Sequence, residues 1–395
     1  MNNKLINRTL ASSLSEVFRI LPVITLTGPR QSGKTTLCRE LFSGLPYVSL
    51  ENVTTLSELQ SDPTAFFSRY ENGVIIDEAQ HFPDVFSYIQ VIIDEDRFKG
   101  TNQHHYVVTG SSNFALMERI SQSMAGRTAV FSLLPLSTAE ILAYNPNATT
   151  SQMILNGGYP AIWMIPGDVE RETLMSNYYT TYIERDVRSL INIKDMQAFQ
   201  LFIRLCASRV GQEFNASAIS NEIGVSVNTI KSWLSILSAS YITFLLHPYH
   251  TNIGKRLTKT PKLYFYDTGL AAFLLGINTE QQMDFHPLRG SLFENMIIAD
   301  MMKHGFNHGK TDQLFFYRDK SQHEVDLLRL LPPNLIEAYE IKSSKTWNAD
   351  FFSNLNYLRK LLQERMVKSN VIYDGDLENP QNENGYVNFR HAHVI

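Results

Sequence analysis

The chain has 395 residues, 44% of them apolar and 19% charged, with a formal net charge of −4. That length is too great for one typical core and predicts two or three domains of ordinary globular composition. The charge balance excludes a global basic field, so any nucleic-acid contact has to come from a local patch. No stretch reaches the roughly 20 unbroken apolar residues of a membrane span, so no membrane partner is expected. The N-terminal MNNKLINRTLASSLSEVFRI carries no apolar signal-peptide core. Two cysteines, Cys38 and Cys206, argue against a disulfide framework, which makes the cytoplasm the expected location.

From about residue 20 to residue 150 strand-like and helix-like runs alternate, the pattern of a parallel sheet wrapped by helices. Candidate strands are Val23–Thr27, Tyr47–Leu50, Val74–Asp77, His105–Thr109 and Ala129–Leu133. The first leads into ITLTGPRQSGKTTL, which fits G-x-x-x-x-G-K-[ST] with Gly28, Gly33, Lys34 and Thr35 in place. The loop Gly28, Pro29, Arg30, Gln31, Ser32, Gly33 can curl backbone N–H groups around a phosphate. The helix opening at Lys34, Thr35 and Thr36 favours the negative charge. Lys34 reaches the β/γ-phosphates, and the Thr35 hydroxyl takes one position on Mg²⁺. Downstream, GVIIDEAQ reads as a buried strand ending in Asp77, which holds the Mg²⁺ directly or through water. Glu78 orients or deprotonates the attacking water. The two motifs together read as an ATP site, with ATP/ADP and Mg²⁺ as ligands, and Cys38 in the following helix reads as a buried thiol.

The strand HHYVVTG ends at Ser111 and Ser112, which are candidates for sensing the γ-phosphate and equally acceptable as turn residues. Arg127 follows Gly126 before the last strand. From there a guanidinium can reach a phosphate in its own or a neighbouring subunit, which leaves an oligomer open; it also reads as a surface arginine.

The series GPRQSGKTTL, VIIDEAQHFPDVF, VVTGSSNFALM, MAGRTAVFSLLPLSTAEI and NGGYPAIW resembles a widespread group of predicted bacterial and archaeal AAA+-superfamily ATPases. In that group the ATPase is followed by a domain of unknown function. The resemblance implies the five-stranded P-loop fold with Lys34, Thr35, Asp77 and Glu78 as its core site. It also implies Ser111 or Ser112 as sensor and places Arg127 in an AGR element. The ATPase domain is expected over 1–165, with Gly157-Gly158 marking the passage out of it.

The second domain is expected over 166–285. MSNYYTTYIERDVRSL reads as a helix, and its Arg185 and Asp186 match the same family, where a YIERDV-like element recurs; they read first as an ion pair bracing an interdomain contact and second with Arg185 as a trans-acting arginine. EFNASAISNEIGVSVNTIKSWLSILSAS follows helix-turn-helix logic, with helices Ala216–Ile223 and Val227 to about Ala239 and Ser226 as cap. Ala218, Ile219, Ile223, Val225, Ile230, Trp233, Leu234 and Leu237 have the spacing that packs two such helices together. YITFLLHPY and KLYFYDTGL read as the strands of a wing, joined by a connector carrying Lys255, Arg256, Lys259 and Lys262. Asn228, Thr229, Lys231 and Ser232 on the second helix can reach a phosphate or a base edge. A lid-type packing module reads from the same residues.

The third domain is expected over 286–395. RGSLFENMIIADMMKH is an amphipathic helix with Glu294 among apolar residues, and QLFFYRDKSQHEVDLLRLL is a hairpin with Asp326 in an apolar strand. LIEAYEIKSSKTW places Glu340 and Lys342 two apart on one strand face, and a helix follows over Phe351–Leu362. The set Glu294, Asp326, Glu340-x-Lys342 resembles the PD-(D/E)XK nuclease core. Asp326 and Glu340 can share a divalent metal, Glu294 can complete its shell, and Lys342 can orient water or offset transition-state charge. The fold class expected overall is α/β: a P-loop parallel sheet, a winged helix-turn-helix and a restriction-endonuclease-like domain. The leading reading couples ATP hydrolysis to a DNA-binding or nuclease-like module. The alternative is a slow ATP-dependent switch that binds a protein partner and has a silent nuclease-like domain. A third reading is a Mg²⁺-dependent DNase gated by ATP.

Overall fold

A computed structural model of the chain describes residues 5–111, 119–120, 122–165, 167–182, 195–250 and 260–394. Ser112, Arg185, Asp186, Lys255, Arg256 and Lys259 lie outside the described residues. The chain divides into two compact units, the first holding Met1–Pro135 with Ala239–Tyr241 and Phe306–Lys310, the second the remainder. The division falls at Pro135–Leu136 instead of residue 165, and the second and third expected domains form one unit.

Unit 1 opens with α1 (Leu10–Phe18), β1 (Val23–Thr27), α2 (Lys34–Leu41), β2 (Tyr47–Ser49), α3 (Val53–Ser61) and α4 (Pro63–Ser68). It continues with β3 (Gly73–Asp77), α5 (Val85–Lys99), β4 (His105–Thr109) and β5 (Thr128–Ser132). The five strands are parallel and run in the order β2-β3-β4-β1-β5. Every residue of β1 and β3 is buried, as a strand covered on both faces requires, which is why these segments read as unbroken apolar runs. One core packs Ile76, Phe86, Ile89 and Val108 on one face; another packs Leu14, Ile24, Leu37 and Val107 on the other. In this order the loops after β1 and β3 and the tip of β4 gather at the carboxyl ends of neighbouring strands, where open α/β sheets place their ligands.

Unit 2 opens with α6 (Thr138–Tyr144), α7 (Thr150–Asn156), α8 (Pro160–Trp163), α9 (Asp168–Tyr178) and α10 (Met196–Ser208). α11 (Ala216–Ile223) and α12 (Val227–Ala239) follow at the expected bounds. Ser226 Oγ accepts from Thr229 N at 3.1 Å, the expected cap. Ile219, Ile230, Trp233, Leu234 and Leu237 are buried, and Trp233 meets Phe199 and Phe202 of α10 at 5.4 and 5.6 Å between ring centroids.

β6 (Thr243–Pro248) and β7 (Lys262–Phe265) pair antiparallel. β6 also pairs parallel with β8, so these strands are part of a larger sheet and not a freestanding wing. α13 (Thr268–Leu274), α14 (Glu280–Phe285) and α15 (Arg289–Asn307) precede β8 (Gln313–Arg318), β9 (Glu324–Leu331) and β10 (Leu335–Lys342). α16 (Ser353–Leu362), β11 (Met366–Tyr373) and β12 (Glu383–Asn388) complete the unit. The seven-stranded sheet runs β12-β11-β10-β9-β8-β6-β7, antiparallel from β8 to β10 and parallel from β10 to β12.

Candidate functional site

The loop between β1 and α2 is shaped by glycine. Gly28 has φ +143°, and a Cβ there would come within 2.3 Å of Leu133 O; Gly33 has φ +96°. Neither position suits an L side chain, and both let the backbone turn tightly enough to open α2 at Lys34. Arg8 clamps the loop from outside, its guanidinium donating to Ser32 O and to Leu134 O at 2.6 Å each. Inside, Ser32 Oγ is buried without a hydrogen-bond partner among the described residues. Lys34 is 5% exposed and donates to Gly28 O at 3.1 Å and Pro29 O at 2.8 Å. Burial pushes its ammonium pKa down, against the opposing pull of Glu78 and Asp77. Arg30 lies 3.8 Å from Glu51.

Asp77 ties the two motifs together. Its Oδ2 accepts from Thr35 Oγ1 at 2.7 Å and from Tyr47 Oη at 2.8 Å. Its Oδ1 accepts from Glu78 N at 3.1 Å and from Thr109 Oγ1. Glu78 sits in the left-handed region at φ +57°, directly after the last residue of β3. Gln80 donates to Glu78 Oε2 and, at 3.1 Å, to Ser111 Oγ, while Ser111 N donates back to Gln80 Oε1 at 3.2 Å. Thus the fold brings Thr35, Asp77, Glu78 and Ser111 together through Gln80 and sets Lys34 in the field of Glu78 and Asp77.

Arg127 is placed elsewhere. Its guanidinium makes a two-point pair with Asp94 of α5 at 2.6 and 2.8 Å and donates to Ala125 O at 3.1 Å. Tyr47, Gln80, Thr109 and Arg8 are the participants that sequence reasoning missed. The strand-tip position of Thr109 was the one available signal.

The loop fits a nucleotide phosphate. It combines a left-handed glycine turn opening into a helix N-terminus, a buried hydroxyl without a partner among the described residues, a desolvated lysine and a Thr–Asp pair suited to Mg²⁺. Among the described residues, the ligand atoms of Glu51, Glu78 and His81 lie within 4.8 Å of one another, the spacing of a cation site.

The second cluster is in unit 2. The β9–β10 ladder pairs Leu327 with Tyr339, so the next step along that register sets Asp326 opposite Glu340. Ile341 N donates to Asp326 Oδ2 at 2.8 Å. Lys342 Nζ lies 2.6 Å from Glu340 Oε1 and 3.9 Å from Asp326 Oδ2. Glu340 Oε2 is buried with no hydrogen-bond partner among the described residues. Burial first, and the Asp326 charge second, push the Glu340 and Glu294 carboxyls up.

Glu294 of α15 joins this field but is held by β7. Tyr264 Oη donates to its Oε1 at 2.5 Å, and Lys262 Nζ lies 3.2 Å from the same oxygen and 2.6 Å from Glu324 Oε1. Burial works against the Lys262 ammonium, and the Glu294, Asp326 and Glu324 charges outweigh it and push its pKa up. Lys262 is therefore not part of a solvated basic patch: at 4% exposed it is an internal cation. Glu294, Asp326 and Glu340 do not close as a triple to the 4.8 Å spacing seen at Glu51, Glu78 and His81.

With these geometries in hand, residues 21–142 match the AAA domain family. Over these residues the chain is similar to AAA-type P-loop ATPase domains. Residues 147–281 and 289–391 match two domains of unknown function, DUF8612 and DUF4143. An uncharacterized protein of Mycobacterium tuberculosis is 28% identical over 322 residues, 81% of this chain and 70% of that protein. One of Methanocaldococcus jannaschii is 26% identical over 266 residues, 62% of this chain and 57% of that protein. Among solved structures, a Walker-type ATPase of Pyrococcus abyssi is 14% identical and covers 69% of this chain and 97% of its own, with a TM-score of 0.47. No helix among the described residues is long and apolar enough to cross a membrane.

Proposed function

We propose that the chain hydrolyses ATP with Mg²⁺ at the P-loop and uses the nucleotide state to control a DNA-acting region in unit 2. The observation that carries this reading is Asp77, which receives Thr35 from the phosphate loop and Thr109 from the neighbouring strand. Loss or gain of a cation there would be felt at once on α2, β3 and β4. Mg²⁺, when bound, would supply charge neutralisation at the phosphates. Thr35 and Asp77 would hold it, Lys34 would turn from its own loop carbonyls to the phosphates, and the loop from Arg30 to Gly33 would offer backbone donors. Glu78, steadied by Gln80 and Ser111, takes a proton from the attacking water or orients it. Arg127, engaged by Asp94, is assigned no step.

Two arrangements in unit 2 support the DNA-acting half. α10, α11, α12 and the β6–β7 pair follow in winged-helix order. The segment 211–214 lies along β7 through Gly211 N to Leu263 O, Leu263 N to Gln212 O and Phe214 N to Pro261 O. Asn228, Lys231 and Ser232 are exposed on α12. The succession α15, β8, β9, β10, α16, β11 then carries Asp326 opposite Glu340-x-Lys342, the arrangement of a PD-(D/E)XK core. There Asp326 and Glu340 would hold Mg²⁺ and Lys342 would face the scissile phosphate. One observation favours the partner-binding switch instead: Lys342 and Lys262 already neutralise the carboxylates they touch.

The deciding experiment measures ATP hydrolysis with Mg²⁺, with and without single- and double-stranded DNA, in the wild type and in Glu78→Gln, while the DNA is followed on a gel. Stimulation lost in Glu78→Gln is the expected result. Turnover indifferent to DNA, with the DNA intact, would overturn the DNA-acting half and favour the switch.

A further inference from the structure

Lys262 is an internal lysine on β7 that touches two carboxylates distant from it in sequence, Glu294 and Glu324. Its ammonium lies between Glu294 Oε1 at 3.2 Å and Glu324 Oε1 at 2.6 Å and sits over the Phe316 ring at 5.4 Å. Tyr264, two residues on and therefore on the same strand face, closes on the same Glu294 oxygen. Arg318 Nε lies 3.5 Å from the other oxygen of Glu324. Glu294 and Glu324 are thus both engaged by protein donors. Glu340 Oε2 is different: it is buried and has no partner among the described residues, beside an Asp326 whose Oδ2 accepts from Ile341 N at 2.8 Å. The centre therefore has two ends: at one the Lys262 ammonium engages Glu294 and Glu324, and at the other Lys342 engages Glu340 Oε1 while Glu340 Oε2 is left unsatisfied among the described residues.

We propose that Lys262 is a resident counter-ion that keeps Glu294 and Glu324 out of the metal shell. The centre is thereby limited to one divalent cation, held by Asp326 and Glu340. This deepens the metal-centre reading above and rests on it. An ammonium occupies the space and supplies part of the charge that a second cation would bring, and unlike a cation it cannot be exchanged. Glu294 then acts as a positioning residue: it anchors β7 to α15 and fixes the distance between Lys262 and the metal end.

The test counts ions on the full chain without nucleotide, by Mn²⁺ binding followed calorimetrically and by electron paramagnetic resonance, with Asp326→Asn as the subtraction. Wild type is expected to bind one Asp326-dependent ion. Lys262→Met is expected to bind a second, or to bind the first at least about tenfold tighter, because a positive charge beside the site has been removed. Lys262→Arg keeps the charge and is expected to behave as wild type. Lys262→Gln, which keeps a polar group in the slot, serves if the Met variant loses its near-ultraviolet circular dichroism, and it carries the same expectation as Met. Two Asp326-dependent ions in wild type would overturn the proposal. So would a folded neutral variant whose stoichiometry and affinity match wild type. Absence of any Asp326-dependent ion in every variant would overturn the metal-centre reading itself, and this proposal with it.

Discussion

In unit 1 the chemistry is carried by two short runs, 28–36 and 77–80, within which Lys34, Thr35, Asp77, Glu78 and Gln80 already hold partners. In unit 2 the acidic centre is assembled from α15, β7, β9 and β10, and one of its carboxylate oxygens is left unmatched. A local motif fixes its own geometry through backbone turns, so its residues are interpretable in isolation. A centre built across strands depends on register, and a lysine from a distant segment can decide what it binds. The sharpest way to break this contrast is Lys34→Ala. If the loop is a self-contained site, turnover falls at least about a hundredfold, the scale of removing a preorganised donor to developing charge. Mn²⁺ binding at Asp326 stays unchanged in that variant. Loss of both in a folded protein would mean the two sites are not separable.

Thr109→Val comes next. Thr109 is buried and its hydroxyl donates to Asp77 Oδ1. Valine keeps the shape and leaves that carboxylate oxygen with one donor fewer, so urea denaturation should show a loss of about 1–3 kcal/mol. The Mg²⁺ dependence of hydrolysis should shift to higher concentration, because Asp77 is less firmly aimed. An unchanged Mg²⁺ response with lowered stability would reduce Thr109 to a packing role.

The difference between the two regions also explains what the sequence made legible. The five strands of unit 1 fall within a residue or so of their expected bounds, since unbroken apolar runs between glycine and helix signals leave little freedom. Lys34, Thr35, Asp77 and Glu78 were legible because the loop and strand that hold them are contiguous. Tyr47 was not: its place beside Asp77 follows from the parallel pairing of Ser49 with Asp77, which only the folded register supplies. Arg8 was hidden for the same reason, reaching Leu134 across most of the unit's sequence. Arg127 shows the converse. A position in an AGR element suggested a phosphate, and the Asp94 pair on α5 was beyond reach of spacing alone. Lys262 read as one more basic residue of a connector. Its alternation with Tyr264 in an apolar strand was the missed sign that both face inward.

Each unit contains one buried cysteine, Cys38 in unit 1 and Cys206 in α10 of unit 2, and alkylation therefore reads each separately. Burial raises the Cys38 thiol to about 12 and pushes Cys206 up as well. At pH 8 both are thiols, and iodoacetamide reacts only through opening. ATP with Mg²⁺ should slow labelling of Cys38 about tenfold, roughly 1.4 kcal/mol of stabilisation, and leave Cys206 within about twofold. Equal slowing at both would mean the units open together. The pH sense follows from the raised thiol. The stability it contributes is intact below the unfolded value of 9.0 and is lost as pH climbs toward 12. An alkaline melt of unit 1 should therefore weaken above pH 9.

The smallest effect separates two meanings of Arg127. Its guanidinium is 22% exposed and Asp94 is 41% exposed, so their pair is worth at most about 1 kcal/mol after solvent screening. Within the domain it ties the segment before β5 to α5 and needs no nucleotide to do so. A double-mutant cycle of Arg127→Gln and Asp94→Asn should give a coupling of about 0.5–1 kcal/mol in stability. If the arginine serves only Asp94, hydrolysis in the two single variants and the double variant changes by the same small factor. If it acts on a phosphate across a subunit boundary, Arg127→Gln alone loses turnover steeply, Asp94→Asn retains it, and the loss in Arg127→Gln relative to wild type grows with protein concentration. That asymmetry between the two partners of one ion pair is the measurement that would return Arg127 to the ATP site.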